Sequence, residues 1–484
     1  MAWPAFLVPL ALYAATASPY VAYWDTAEMQ TVPYILGIAH PTGFPLFVMA
    51  GWAFTHVFAV GTVAWRMGFF CALAMAGAAR LAYSLALLLR VEPTTAFGSA
   101  MLFAAGEVAW SRGSRAEVHA FVIFFAALAI VSAVRWYRTA DPRALVWLGV
   151  GVGLGLATHE VIGLLLGGIA ILVLARYRDL RPRMLVLPAA IVAASLALYL
   201  YLPLRSAYVT SHHLDPTTAL GVPPGRPYWD YAHPSTPAGI KRELAGSDFN
   251  VGHGLAGIFS VAGYGRIGGR YADAARDEFG WLALGAALLG FALVVRDEPV
   301  LAAGLVLAVA LPIPFVLSYT AESDVERYFL PSYWLIAVLA GVGASRGIAG
   351  YMRENSALVT SLATATVLIF AMHVGWTNKD LLQQRSDDGA EKYVDRVIAA
   401  TPDGAVIVAN WAYATPLAYA AYVQGRMGHR IVETAWVGDD QAYLKRWISE
   451  RPVYAVFVGD PPYIKGLRFE AADGGYPPIL RVEP

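Results

Sequence analysis

Apolar runs of membrane-crossing length alternate with short Arg-bearing loops over the first three quarters of the chain. They occupy 2–18, 64–89, 95–110, 117–136, 144–157, 160–175, 184–203, 279–295, 299–319, 328–345 and 356–375. An upright helix needs about 20 apolar residues to cross a bilayer, and most of these runs approach that length. The short pair 144–157 and 160–175 is parted by His159 and Glu160, a polar break that fits a tight turn at a membrane surface. The run 45–60 holds His56 and follows Pro45, which predicts an interfacial helix rather than a span. The pattern predicts an α-helical polytopic membrane protein with about 11 transmembrane helices.

After residue 380 the pattern changes. Helical periodicity over 389–400, 414–425 and 440–450 alternates with β-branched runs at 405–409, 430–435 and 453–458. That alternation predicts a small C-terminal α/β domain with a parallel sheet. The expected division is a transmembrane domain over 1–379, with outer loops 19–63 and 204–278, followed by an extracytoplasmic domain over 380–484.

Basic residues in short loops set sidedness. With the N-terminus inside, the inner loops hold Arg90, Arg135, Arg138, Arg143, Arg176, Arg178, Arg181, Arg183, Arg296, Arg346 and Arg353. The short outer loops hold Arg112, Arg115 and Arg327, with Arg66 near the membrane edge. Eleven spans then place the C-terminus outside, in a bacterial inner membrane. Arg80 lies inside the second span and must be paired or snorkel. Ala15-Thr16-Ala17 has the small-residue pattern of a signal-peptidase site, but no basic residue precedes it; the segment is read as an uncleaved helix.

Composition agrees. Of 484 residues, 58% are hydrophobic and only 14% charged, with a mean hydropathy of +0.52. The formal net charge is zero, which gives no footprint for nucleic acid. Cys71 is the only cysteine, so no intrachain disulfide or cysteine-based metal site forms. The chain carries no Walker-type motif, which argues against direct use of a nucleotide.

The chemistry gathers at the outer ends of the spans. "YWDTAEM" carries Asp25 and Glu28 at i and i+3, on one face of a helix about 5–6 Å apart at Cβ. Two close carboxylates separate their pKa values and leave one poised as a base. Trp24, Tyr34 and Phe44 are expected to surround them with apolar surface, Trp24 partly shielding Asp25. "HPTGFP" sets His40 in a turn that Gly43 permits. Glu117 and His119, then His159 and Glu160, then Tyr199, Tyr201 and Arg205 lie at the same level. So does the run Glu322, Asp324, Glu326, Arg327 and Tyr328. Arginine beside aromatic rings at a membrane edge suits a lipid phosphate, with Arg205 or Arg327 as its ligand. A transporter or lipid flippase with an outward-facing polar cavity is the alternative class, but its polar groups would sit at the midplane and no repeat is visible.

"YWDTAEM", "LGIAHPTGFPLF", "RAEVHAF", "GLGLATHE", "LYLYLPLRSA" and "ERYFLPSYW" follow one another in this order. In that order the chain resembles the protein O-mannosyltransferase-like membrane family, formerly a domain of unknown function, within the GT-C superfamily of integral-membrane glycosyltransferases. The resemblance implies transfer of a hexose such as mannose from a polyprenyl-phosphate donor, with inversion, on the outer side. The acceptor is a hydroxyl of a glycan, lipid or protein. It implies Asp25 as the catalytic acid of the first outer loop and Glu28 as the second acid. His40, Glu117, His119, His159, Tyr201, Arg205, Arg327 and Tyr328 fall on substrate-binding positions. His119 stands where the family's motif has an aromatic residue, and Thr158 where it has Asn; these departures bear on sugar or acceptor preference. The resemblance favours a metal-free arrangement with no cofactor.

Overall fold

The computed structural model describes residues 1–249, 261–317, 324–351, 356–434, 441–457 and 466–484. Glu322, Arg353 and the ends of the 299–319 and 453–458 segments lie outside the described residues. The chain divides into two compact units, each assembled from separated stretches.

The first unit comprises Met1–Ala17, Gly68–Tyr199 and Phe249–Gln384. It is helical, as the apolar runs require. Among the described residues, six helices are long and apolar enough to cross a membrane: Val63–Leu88, His119–Thr139, Arg183–Ser211, Gly268–Asp297, Val325–Ala349 and Ala357–Thr377. Five shorter apolar helices accompany them, Pro4–Thr16, Pro45–Val57, Pro142–Thr158, Glu160–Leu174 and Pro299–Phe315. Two of the six run past the first unit's boundaries, and Pro45–Val57 belongs wholly to the second unit. The Val325–Ala349 helix is almost wholly enclosed, whereas Arg183–Ser211 turns most of its apolar surface outward. An apolar surface without protein cover is what a lipid-facing helix presents, and the chain is a multi-pass membrane protein. Arg80 meets the Ser84 hydroxyl at 3.4 Å one turn along its own helix.

Two expectations change. The run 95–110 is not one span: a helix over Pro93–Ala104 ends, and Glu107–Gly113 forms a separate helix. Gly106 between them has an extended backbone, which no helix interior accepts. The run 279–295 continues a helix that starts at Val261 and breaks at Gly280, where φ is 71°. Its first half is polar, so hydropathy alone missed it.

The second unit comprises Ser18–Met67, Leu200–Asp248 and Arg385–Pro484. Its centre is a five-stranded sheet of order β2-β1-β3-β5-β4. The strands are β1 (Val406–Ala409), β2 (Ile431–Thr434), β3 (Val453–Val456), β4 (Arg468–Ala471) and β5 (Leu480–Glu483). β1 pairs in parallel with β2 and with β3, in register Val406↔Ile431 and Val406↔Val453. β5 runs antiparallel to β3 and β4, so the expected parallel sheet is mixed. Side chains alternate across a strand. Val406 and Val408 therefore join Leu220, Val222, Leu444 and Trp447 on one face. Ile407 and Ala409 join Tyr393, Val397 and Leu417 on the other, with Tyr23 packed against them.

Those two layers bind the loops to the tail. The Leu220 carbonyl accepts from Trp447 Nε1 at 2.9 Å and also from Arg446. Tyr23 donates its hydroxyl to the Gly389 carbonyl at 3.1 Å, and the Ala64 amide donates to the Tyr419 hydroxyl at 3.0 Å. Segments from three parts of the sequence therefore share one core.

Candidate functional site

The helix Trp24–Ile35 carries both acids of the first loop. Asp25 lies in its first turn, where the partial positive charge of the helix N-terminus favours a carboxylate. Glu28, one turn on, is fully buried. The chain leaves the helix through Leu36 in the left-handed region and returns as the His40 turn. There the His40 amide donates to Glu28 Oε1 at 2.8 Å, and the ring Nδ1 meets Glu28 Oε2. Burial pushes the Glu28 carboxyl up; His40 opposes that shift, and the charge of Asp25 adds to it.

Gly43 makes the turn possible. Its φ is +77°, and a Cβ there would lie 2.7 Å from the Leu202 side chain and 3.0 Å from Glu243 Oε1. Gly37 allows a second close approach, since a Cβ on it would sit 1.9 Å from the Tyr228 carbonyl oxygen.

The tail reaches this cluster through Trp411, the residue that opens the helix following β1. Its indole Nε1 donates to Asp25 Oδ1 at 2.8 Å. The ring stacks on Tyr228 at 6.0 Å and meets His40 edge-on at 6.0 Å. Trp411 therefore covers Asp25; Trp24, expected in that role, is 60% exposed. Tyr34 stacks on His56 instead, while Phe44 does pack edge-on against His40 at 5.1 Å.

Glu243 completes the surroundings. It is fully buried and neither carboxyl oxygen has a hydrogen-bond partner among the described residues. Burial holds its pKa well above the usual carboxylate range, and the charges of Glu28 and Asp248 push the same way. No motif or spacing along the chain singles out Trp411, Tyr228 or Glu243. One signal was present for Trp411: it follows the carboxyl end of a parallel strand, where α/β sheets place ligand contacts.

Tyr201 and Arg205 sit at the other end of the acid-bearing helix. The Tyr201 hydroxyl donates to the Leu36 and Gly37 carbonyls at 2.9 and 2.5 Å. Arg205 Nη2 donates to the Ile35 carbonyl at 3.1 Å, and its guanidinium lies 5.2 Å over the Tyr208 ring. Ten residues of helix separate Ile35 from Asp25, about 15 Å of rise. Tyr201 and Arg205 thus hold the helix end and the loop that returns His40, and Arg205 Nε keeps no hydrogen-bond partner among the described residues, a donor left for the phosphate that the resemblance implies.

The remaining predicted residues form a cluster within the first unit. Glu117 Oε1 accepts from the His119 amide at 3.2 Å and meets its Nδ1 at 2.9 Å. Tyr328 lies edge-on to His119 at 4.5 Å and to His159 at 6.0 Å. Arg112 pairs with Asp324 and lies 3.7 Å from Glu117; Arg115 lies 3.5 Å from Asp324, and Arg327 lies 3.9 Å from it. Burial alone would raise Glu117, but the His119 bond and the charges of Arg112 and Arg327 outweigh it and hold the carboxyl below its usual range. Buried Arg112 keeps Nε and Nη1 without a hydrogen bond among the described residues, and His119 does the same with Nε2. Unspent buried donors of this kind suit an anion. Glu160 is exposed and takes no part.

One ligand atom from each of Asp25, Glu28 and His40 lies within 4.8 Å of the others, so these three residues could share a divalent cation.

Comparison with known proteins adds an independent line. Residues 25–181 match the family model for the protein O-mannosyl-transferase TMEM260 N-terminal domain. The mouse protein O-mannosyl-transferase TMEM260 is 23% identical over 401 residues, 79% of this chain and 55% of the mouse protein. The Dictyostelium discoideum protein of that name is 29% identical over 128 residues, 26% of this chain and 16% of its own. The chain thus spans about half or less of the curated relatives' length. Among solved structures, apo ArnT from Cupriavidus metallidurans superimposes with a TM-score of 0.62 at 12% identity, covering 98% of this chain and 96% of ArnT. ArnT bound to undecaprenyl phosphate gives 0.59 at 11% identity, with the same coverage. At such identities the likeness is one of fold.

Proposed function

We propose that the chain is an O-mannosyltransferase-like enzyme of GT-C fold, in line with its matches, and that it moves a sugar from a polyprenyl-phosphate donor to an acceptor hydroxyl on the extracytoplasmic side. The observation that carries this reading is the Asp25 carboxylate, fixed by Trp411 beside the Glu28–His40 pair.

In the proposed reaction the acceptor oxygen attacks the anomeric carbon of the donor sugar. The bond from that carbon to the phosphate oxygen breaks, and polyprenyl phosphate leaves from the opposite face with inversion. Asp25 takes the acceptor proton as the bond forms. Glu28 and His40 hold the loop and orient sugar or acceptor. A phosphate of the polyprenyl lipid is the anion proposed for the Arg112, Arg115 and Arg327 group within the first unit. ArnT bound to undecaprenyl phosphate is a neighbour in fold, and the donor class is extended from it. The proposed chemistry is metal-free, as the resemblance implies; Asp25, Glu28 and His40 are the residues that would hold a divalent cation if one took part.

The test is purified protein in proteoliposomes, given undecaprenyl-phosphate hexoses and a membrane extract as acceptor. The expected result is label transfer that persists in EDTA. Absence of transfer with every polyprenyl-phosphate hexose would end the reading, and loss in EDTA restored by manganese would place a cation among Asp25, Glu28 and His40.

A further inference from the structure

A cavity of about 550 Å³ opens within the second unit, lined by the Pro223–Pro227 segment, Tyr231, Arg242, Asp248 and Tyr443. That is within the usual range for a ligand pocket. None of its residues belongs to the candidate centre described above.

Its charges are already matched. Arg242 makes a two-pronged contact with Asp248 through Nε at 2.8 Å and Nη2 at 2.9 Å. Asp248 also accepts from the Tyr231 hydroxyl at 3.0 Å. Arg226, the other cation in the lining, lies 3.3 Å from the buried Glu433. An anion would therefore meet no unmatched positive charge. What the lining offers is a guanidinium with further N–H donors beside a carboxylate with further lone pairs. A hydroxyl both donates and accepts, so adjacent hydroxyls of a sugar match that alternation. Tyr443, partly exposed, stacked on Trp447 at 5.8 Å and with the Arg446 guanidinium 5.5 Å from its ring centroid, adds an aromatic edge against which the C–H groups of a pyranose can lie.

The cavity also connects to the chemistry. Tyr231, in its wall, sets its ring edge against Trp411 at 6.5 Å. Trp411 in turn holds Asp25 and contacts His40. One ring contact and one hydrogen bond thus separate the cavity wall from the proposed base.

We propose that this cavity binds a neutral oligosaccharide portion of the acceptor, seating it while a hydroxyl further along the molecule meets Asp25. The assignment rests on the transferase reading for the word acceptor; the oligosaccharide binding itself does not.

The experiment is saturation-transfer NMR on the full chain in nanodiscs, with mannotriose and maltotriose as probes and mannose 6-phosphate and a Ser/Thr peptide as competitors. At least one trisaccharide should bind. Tyr443→Ala and Arg242→Gln should each weaken it about tenfold, Tyr443→Phe should preserve it, and all three variants should bind undecaprenyl phosphate as the wild type does. Asp25→Asn should bind the trisaccharide normally. No trisaccharide binding, binding indifferent to both Tyr443→Ala and Arg242→Gln, or displacement by the phosphosugar or the peptide at lower concentration would each overturn the assignment. Trisaccharide binding in a protein that transfers no sugar would remove the transferase reading and leave an oligosaccharide site. Transfer without the trisaccharide site would remove the cavity assignment alone.

Discussion

Arg205→Ala separates two jobs that one arginine could do. The side chain donates to the Ile35 carbonyl and lies over Tyr208. A hydrogen bond from a charged group contributes about 1.5–3 kcal/mol, and an exposed cation–π contact about 0.5–1 kcal/mol. Arg205 is only half buried, so the lower end applies, about 2 kcal/mol in all. That corresponds to roughly 4–8 °C in Tm for a unit of this size. Tyr201→Phe removes the neighbouring bonds to Leu36 and Gly37 and leaves two carbonyls short, at about 1–3 kcal/mol. If both residues only pin the acid-bearing helix, each variant loses Tm and turnover together, and each binds a polyprenyl-phosphate lipid within about twofold of wild type. Arg112→Ala removes a cation assigned to the phosphate and should weaken lipid binding by roughly 10–100-fold, with a loss of Tm as well, because Asp324 and Glu117 lose a buried partner. Tm by intrinsic fluorescence and lipid binding by calorimetry, on the same detergent-purified samples, read both quantities. A tenfold loss of lipid affinity in Arg205→Ala, with Tyr201→Phe unaffected, would refute the reasoning and assign the phosphate to Arg205.

Glu243 has a raised pKa in the folded protein, so its contribution is favourable below the ordinary carboxylate pKa and is lost as pH rises through the folded value. One proton gives a slope of up to about 1.4 kcal/mol per pH unit. Glu243→Gln should therefore flatten the fall in Tm between pH 5 and 8, and an unchanged slope would count against the buried-acid assignment. Trp411→Phe loses the indole bond to Asp25, about 1.5–3 kcal/mol to a charged group; Tm should fall by roughly 3–12 °C and transfer by about tenfold or more, and unchanged transfer would remove Trp411 from the site.

Much of this could be read along the chain, and the exceptions have physical causes. The tail helix 389–400 matches Gly389–Ala400, and the three β-branched runs became β1, β2 and β3, because alternation and flanking turns are local signals. β4 was missed because "RFEA" is a four-residue, largely exposed edge with Phe469 as its one large apolar side chain. β5 was missed because four residues after two prolines give too short a pattern. Asp25, Glu28 and His40 were legible as a group, being close in sequence. Trp411 and Glu243 were not, because only the packing of 18–67, 200–248 and 385–484 into one unit brings them to the acids. The hold of Arg205 on the Ile35 carbonyl was not legible either, because that contact joins residues 170 positions apart.

The most direct test of the account is transfer by Asp25→Asn. The substitution keeps the shape of the side chain and leaves an oxygen to accept from Trp411, but removes the base. General-base catalysis contributes typically about 10²–10⁴-fold, so sugar transfer should fall by roughly that factor while binding of the polyprenyl-phosphate donor stays at the wild-type level. Glu28→Gln, measured beside it, should lose less. Transfer by Asp25→Asn within a few-fold of wild type would contradict the account.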